Sequence, residues 1–257
     1  MNDLPKINPA LEKEKIIDFL KKTLREQNKK NIVLGMSGGI DSVTSFYLLK
    51  EAIAPENILI AHLYYFESLL NAFKKTLENA NIPDKNIHEL SIKNAVDGLK
   101  KILNIPDEDR IRLGNVMARI RMIILYDFAK KHNALVLGTE DKSEFYLGYF
   151  TRFGDAASDI EPIRHLYKTQ VYRLAKYLGV PKEIVNQKSS PGLWPGHTAE
   201  KELGFSYEEA DSILHLYFEQ KKSLSEIISR DFPNAKKIIN WTRKNSFKHH
   251  LPYIIRP

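Results

Sequence analysis

The chain has 257 residues, 43% of them hydrophobic, enough apolar material for one large α/β domain with a substantial core. Its 39 Lys and Arg against 32 Asp and Glu leave a net charge of +7, which suits an anionic partner. The basic residues are interleaved with acidic ones, which favours solvated helix faces and a polyphosphate site over a nucleic-acid surface, and the absence of cysteine excludes disulfides, thiolate zinc sites, a cysteine nucleophile and persulfide chemistry.

The opening residues, MNDLPKINPA, lack the charged and apolar regions of a signal peptide, and no later stretch is long and apolar enough to span a bilayer. A cytoplasmic protein with no membrane partner is expected. Residues 11–27 place Ile16, Ile17, Leu20 and Leu24 on one face at helical spacing, which predicts an amphipathic helix. Residues 31–35 form an apolar strand that runs into Ser37, Gly38 and Gly39, and 41–54 read as a helix closed by Pro55. A second buried strand over 57–65, a helix over 68–80, a third strand over 86–92 and a helix over 94–103 follow. The charged connection PDEDRIR (106–112) is expected to be exposed, ahead of a long helix over 115–132 and a fourth strand over 134–138. Strands separated by helices of this length imply right-handed crossovers and an open parallel sheet of about five strands with helices on both faces.

Residues 147–163, LGYFTRFGDAASDIEPI, have no sustained periodicity, and such a long irregular stretch inside a compact domain is usually functional. A helix over 168–178, a second irregular stretch over 188–204 and three helical segments after 206 follow. One domain is expected over 1–257: a nucleotide-binding α/β core with its site loops (1–204) and a helical C-terminal appendage (205–257).

The chemistry is concentrated in NIVLGMSGGIDS, residues 31–42. A strand entering a helix through a glycine turn aims backbone N–H groups and the positive end of the helix dipole at one small volume, which attracts phosphate. Ser37 and Ser42 add hydroxyl donors, whereas the Asp41 carboxylate can sit beside phosphate oxygens only with a cation between them, which implies Mg²⁺. The letters fit neither a Walker A loop, which needs a Lys after the glycines, nor the G-x-G-x-x-G dinucleotide fingerprint. In a parallel open sheet the ligand lies outside the carboxyl ends of the strands, so the loop after the fourth strand, with Thr139 and Glu144, is predicted to face the glycine turn. Glu144 can then share Mg²⁺ with Asp41.

The run S-G-G-x-D-S after a strand resembles the pyrophosphate loop of the ATP pyrophosphatases, a superfamily with a Rossmann-like fold of the adenine nucleotide alpha hydrolase type. The runs GNVMARIRM (114–122), GTEDKSE (138–144), LGYFTRFGDAASDIEPI and LYKTQVYRLA (166–175) narrow the resemblance to the ammonia-dependent NAD⁺ synthetases, in order and at compatible spacing. It implies that Gly35, Met36, Ser37, Gly38, Gly39, Ile40, Asp41 and Ser42 hold ATP together with Thr139, Lys168 and Ser190. Asp41 and Glu144 would bind Mg²⁺ and, with Lys168, carry the chemistry, while Arg119, Arg152, Asp159, Phe247 and Lys248 would bind deamido-NAD⁺. The resemblance further implies ammonia as the nitrogen donor and a homodimer. Rival readings are an enzyme that adenylates a tRNA base, for which no nucleic-acid surface is evident, and a nucleotide-binding protein without turnover.

Several positions depart from the family pattern. Arg152 stands where Lys is usual, Phe247 where a His often precedes the basic residue, and Ala199 where a carboxylate is usual. Ser189-Ser190-Pro191 replaces the usual Pro-Ser/Thr-Ala, and the stretch 64–73 is poor in the polar residues expected there.

Overall fold

The computed structural model describes residues 4–67, 69–250, 253 and 255. The first half alternates helices and strands: α1 (Pro9–Glu26), β1 (Asn31–Gly35), α2 (Ile40–Ala52), β2 (Ile58–Tyr64), α3 (Leu70–Asn79), β3 (Ile87–Ser91), α4 (Lys93–Ile102), α5 (Arg110–Lys131) and β4 (Ala134–Leu137). The second half is helical: α6 (Lys142–Leu147), α7 (Lys168–Tyr177), α8 (Lys182–Val185), α9 (Ala199–Leu203), α10 (Tyr207–Leu214), α11 (Leu224–Ile228) and α12 (Ala235–Asn245). The predicted helix start at residue 68 lies outside the described residues. No helix among the described residues is long and apolar enough to cross a membrane.

The strands pair in parallel in the order β3-β2-β1-β4. Side chains alternate along each strand, so β1 and β2, covered on both faces, are apolar apart from Asn31 at the start of β1 and His62 in β2. Ile32, Leu34, Ile58 and Ile60 share one cluster with residues of α1, α2 and α7. On the other face Val33 and Leu59 pack with α5, and Ala61 with Val96 of α4 and Met117 of α5. The strand order reverses direction between β1 and β4, which puts a crevice at their carboxyl ends.

Among the described residues the sheet has four strands where the sequence predicts about five. The fifth position is reduced to one parallel bridge, Leu137 with Ile160. Gly138 N donates to Ile160 O (2.8 Å) and Ile160 N to Val136 O (3.2 Å), but the next donor in that ladder falls at Pro162, which has no N–H. α5 also starts earlier than the periodicity suggests: Asp109 caps it by accepting a hydrogen bond from Arg112 N (3.2 Å), so part of the predicted exposed connection is helix.

The helical second half has its own core, in which Leu203, Phe205, Tyr207, Ile213, Ile238 and Ile239 pack with Leu147 of α6 and Tyr167 just before α7. Ala199, where the family pattern has a carboxylate, is fully buried in this core, a place that excludes an unpaired charge.

Candidate active site

The glycine turn closes β1 against α2. Gly38 has φ +87°, which calls for glycine, and a Cβ there would also press on the Phe73 ring at 3.3 Å. Gly39 is the N-cap of α2 and supplies no side-chain cap, which leaves the first N–H groups of the helix available to an anion. Ser42 Oγ donates to Gly39 O (3.0 Å), and Ser37 Oγ accepts from Gly39 N (3.2 Å), so the two hydroxyls line the turn. His62, buried in β2, ties this turn to the next loop: its Nε2 accepts from Leu69 N (3.0 Å), which leaves Nδ1 to donate to Met36 O (2.9 Å). Phe73 meets the His62 ring edge-on at 5.3 Å. The 64–73 stretch, unassigned from sequence, thus includes the packing that holds the glycine turn in place.

Across the crevice, Lys168 at the start of α7 is fully buried. Its Nζ donates to Asp41 Oδ2 in the first turn of α2 (2.7 Å) and to Glu144 Oε1 in the first turn of α6 (2.9 Å). Nζ also lies 2.7 Å from Asp141 Oδ2, in an ion pair whose direction makes no hydrogen bond. Asp141 and Glu144 cap α6 reciprocally, Glu144 N donating to Asp141 Oδ1 (2.9 Å) and Asp141 N to Glu144 Oε2 (3.4 Å). Asp41, Glu144 and Lys168, which the sequence predicts to act together, are therefore brought together. Asp141 is an addition that sequence reasoning missed, although the D-x-x-E spacing of a capping box was there to read.

The electrostatics follow from burial. Desolvation alone lowers the Lys168 pKa, but the carboxylates of Asp141, Asp41 and Glu144 outweigh it and hold the ammonium well above the ordinary lysine value. Burial, then the neighbouring Asp141 carboxylate, push Glu144 well up, and burial raises Asp141. Ligand oxygens of Asp41, Asp141 and Glu144 lie within 4.8 Å of one another, and Asp41 Oδ1 and Asp141 Oδ2 are buried without hydrogen-bond partners. Three hard oxygen donors with lone pairs to spare, facing one ammonium, fit a divalent cation such as Mg²⁺.

The residues expected at the second substrate lie mostly together along the 148–155 loop. Arg119 Nη2 donates to Arg152 O (3.2 Å), and the Arg152 guanidinium lies 5.5 Å from the Phe247 ring. Lys248 reaches the same loop, but its Nζ donates to Gly148 O (2.7 Å) and Phe150 O (2.9 Å), so in this conformation the amine braces backbone. Phe153, between Arg152 and Gly154, adopts φ +58°, a strained value for a bulky residue and one found disproportionately at functional turns. Asp159 is turned to the sheet, accepting from Val136 N (2.8 Å).

Thr139, half-buried, directly follows Gly138, where the Glu161 carboxylate packs so closely that no Cβ fits. Burial lifts the neighbouring Glu140 to about 8 and Glu161 to about 7. Ser190 is exposed and bonded within its own loop, Oγ donating to His197 O (2.5 Å) and accepting from Gly192 N (3.1 Å); no described contact joins it to the carboxylate cluster. That loop rests on α5 through Leu193, which fills the space a Cβ on Gly114 would need.

Residues 12–252 match the NAD synthase family. The chain is 38% identical over 246 residues to the NH3-dependent NAD⁺ synthetase of Fusobacterium nucleatum subsp. nucleatum, covering 94% of this chain and 93% of that protein. Among solved structures, NMN synthetase from Francisella tularensis superposes with a TM-score of 0.82 at 30% identity, over 97% of this chain and 99% of that one. The NH3-dependent NAD synthetase from Campylobacter jejuni does so with a TM-score of 0.81 at 28% identity, over 98% and 100%. With the sheet, the glycine turn and the caged lysine in the places described, this chain belongs to the NAD synthase family.

Proposed function

We propose that this protein converts deamido-NAD⁺, ammonia and ATP to NAD⁺, AMP and pyrophosphate through an adenylated carboxylate. The observation that carries the reading is the buried Lys168 held by Asp41, Asp141 and Glu144 at the mouth of an uncapped glycine turn. In the first step the nicotinate carboxylate attacks the α-phosphorus of ATP and the bond to the pyrophosphate oxygen breaks; in the second, ammonia adds to the acyl carbon, AMP leaves and the surplus proton passes to solvent. The N–H groups of the turn and the hydroxyls of Ser37 and Ser42 bind the phosphates, and Thr139 and Ser190 contact the nucleotide. Lys168 meets the negative charge that grows on the departing pyrophosphate. Asp41 and Glu144 would hold Mg²⁺, which when bound supplies Lewis-acid stabilisation of phosphate oxygens.

Arg119 and Arg152 offer planar guanidinium groups to the phosphates and carboxylate of deamido-NAD⁺, with Phe247 and Lys248 beside the same loop, while Asp159, bonded to Val136 N, would join them only by turning away from the sheet. No protein nucleophile is needed, in keeping with a chain that has no cysteine. The reading includes action as one domain in the cytoplasm, without nucleic acid, and as a homodimer. The dimer is supported by the exposed apolar residues Ile102 and Leu103 at the end of α4 and Ile111 and Ile123 on α5.

The test is incubation of purified protein with ATP, Mg²⁺ and deamido-NAD⁺, with either ammonium or ammonium-free glutamine, and separate assay of AMP and NAD⁺. Equal amounts of AMP and NAD⁺ are expected with ammonium and none with glutamine, because amide cleavage at neutral pH needs a thiolate or an equally activated group and this chain has no cysteine. Sustained synthesis from glutamine, or failure to release AMP, would overturn the reading. Since the Francisella neighbour is an NMN synthetase, the mononucleotide counterpart is the competing acceptor; faster turnover with it would replace deamido-NAD⁺ as the substrate.

A further inference from the structure

Asp211 sits on α10, in the helical second half, and is completely buried. A buried carboxylate is retained only where its lone pairs are used, and here one oxygen serves each of two catalytic helices. Oδ1 accepts from Ser143 Oγ (2.5 Å), the residue immediately before Glu144 on α6. Oδ2 accepts from both Thr169 N (2.9 Å) and Thr169 Oγ1 (2.7 Å), the residue immediately after Lys168 on α7. Ser143 Oγ closes the circuit by accepting from Lys168 N (2.8 Å). The carboxylate thus also faces the positive end of the α7 dipole. Four residues earlier on the same helix, the buried Tyr207 ring lies 5.4 Å from Lys168 Nζ.

We propose that Asp211 is a positioning residue that locks α6 to α7 and so sets Glu144 and Lys168 about Asp41. The helical second half then completes the chemical site instead of only covering it. Glu144 is one residue from an anchored hydroxyl and Lys168 one residue from an anchored amide, so slack in either hydrogen bond moves a charged group that must sit correctly in the transition state. A displacement of about 1 Å in such a group costs on the order of 100-fold in rate. The inference rests on the proposed function only for its kinetic arm.

The experiment compares Asp211→Ala, Asp211→Asn and Ser143→Ala with the wild-type chain, each folded by circular dichroism at the assay temperature. Two readouts are taken: kcat and KM for ATP, and Mn²⁺ affinity without nucleotide by electron paramagnetic resonance. Asp211→Ala is expected to lower kcat about 30- to 100-fold with KM for ATP within about 3-fold, and to weaken Mn²⁺ binding about 5-fold or more. Asp211→Asn is expected to recover kcat to within about 3-fold, because its oxygen still accepts from Thr169 and its amide can donate to the spare lone pair of Ser143 Oγ.

Ser143→Ala, which cuts only the link to α6 and Lys168 N, is expected to lose about 10-fold in kcat, and it decides the matter if Asp211→Ala does not fold. Wild-type kcat and Mn²⁺ affinity in the folded alanine variants would overturn the inference, as would an Asn variant as impaired as the Ala variant. A wild-type protein that binds Mn²⁺ but turns over no substrate would sink the proposed function, while the Mn²⁺ comparison would still decide the role of Asp211.

Discussion

Lys168 carries a charge removed from water and then enclosed by three carboxylates, so the balance at this point depends on which member is deleted. Asp41→Asn or Glu144→Gln leaves the ammonium with two acidic partners and the fold intact, but removes a candidate metal ligand. Each is expected to cut AMP release by on the order of 100-fold or more while the melting temperature moves little. Near-normal pyrophosphate release in either variant would refute the assignment. Of these residues, Asp41 is legible from the turn it closes, Glu144 from the loop that a parallel sheet sets against that turn, and Lys168 from a family run alone. His62, Tyr207 and Asp211 are not: each acts through a partner distant in sequence, and Asp211 reaches residues 68 and 42 positions away. A lone His in a buried strand, or an Asp in an amphipathic helix, carries no local signal of such a contact.

At the scale of elements, the alternation of strands and helices was readable because both sheet faces are covered, and covered strands are uninterrupted apolar runs. What was misread turned on single residues whose effect is on hydrogen bonding and not on hydrophobic period. Pro162 stops a fifth strand after one bridge, and Asp109 starts α5 five residues before the predicted helix. The longer α5 matters for assembly, since Ile111 lies in the added turn and, with Ile123, is more than half exposed. Sedimentation at micromolar protein is expected to give twice the chain mass of 29.7 kDa, and Ile123→Glu is expected to shift the population toward the single-chain mass. Only the single-chain mass for the wild type would refute the dimer.

For the whole molecule, the carboxyl groups divide into two sets with opposite pH behaviour. Burial lifts Glu140 from 4.5 to about 8, Glu161 from 4.5 to about 7 and Asp211 from 3.8 to about 7, so the folded state binds protons that the unfolded state has released. Their contribution to stability is full below the unfolded values and fades as pH rises through the folded ones. Asp97, with its hydrogen bonds from Lys93 and Tyr65, and Asp107, paired with Lys100, are held below the usual range and contribute above their unfolded values, losing this as pH falls. Thermal stability should therefore peak at about pH 4 to 5, near the unfolded values of the two sets, and decline from there toward pH 8. Glu140→Gln should flatten that decline, because a neutral amide replaces a group that must otherwise ionise in a buried place. A melting temperature that rises steadily from pH 5 to 8 in the wild type would contradict this account.

The caged lysine has one more consequence, for self-protection. An acyl-adenylate acylates any amine that has a free lone pair, and in the proposed reaction it forms in the same crevice as a lysine. The carboxylates around Lys168 hold its nitrogen as an ammonium, which has no lone pair to give. The protein can thus keep a cation in that crevice without forming an amide bond to its own substrate, and the small neutral amine from solution is left as the acceptor.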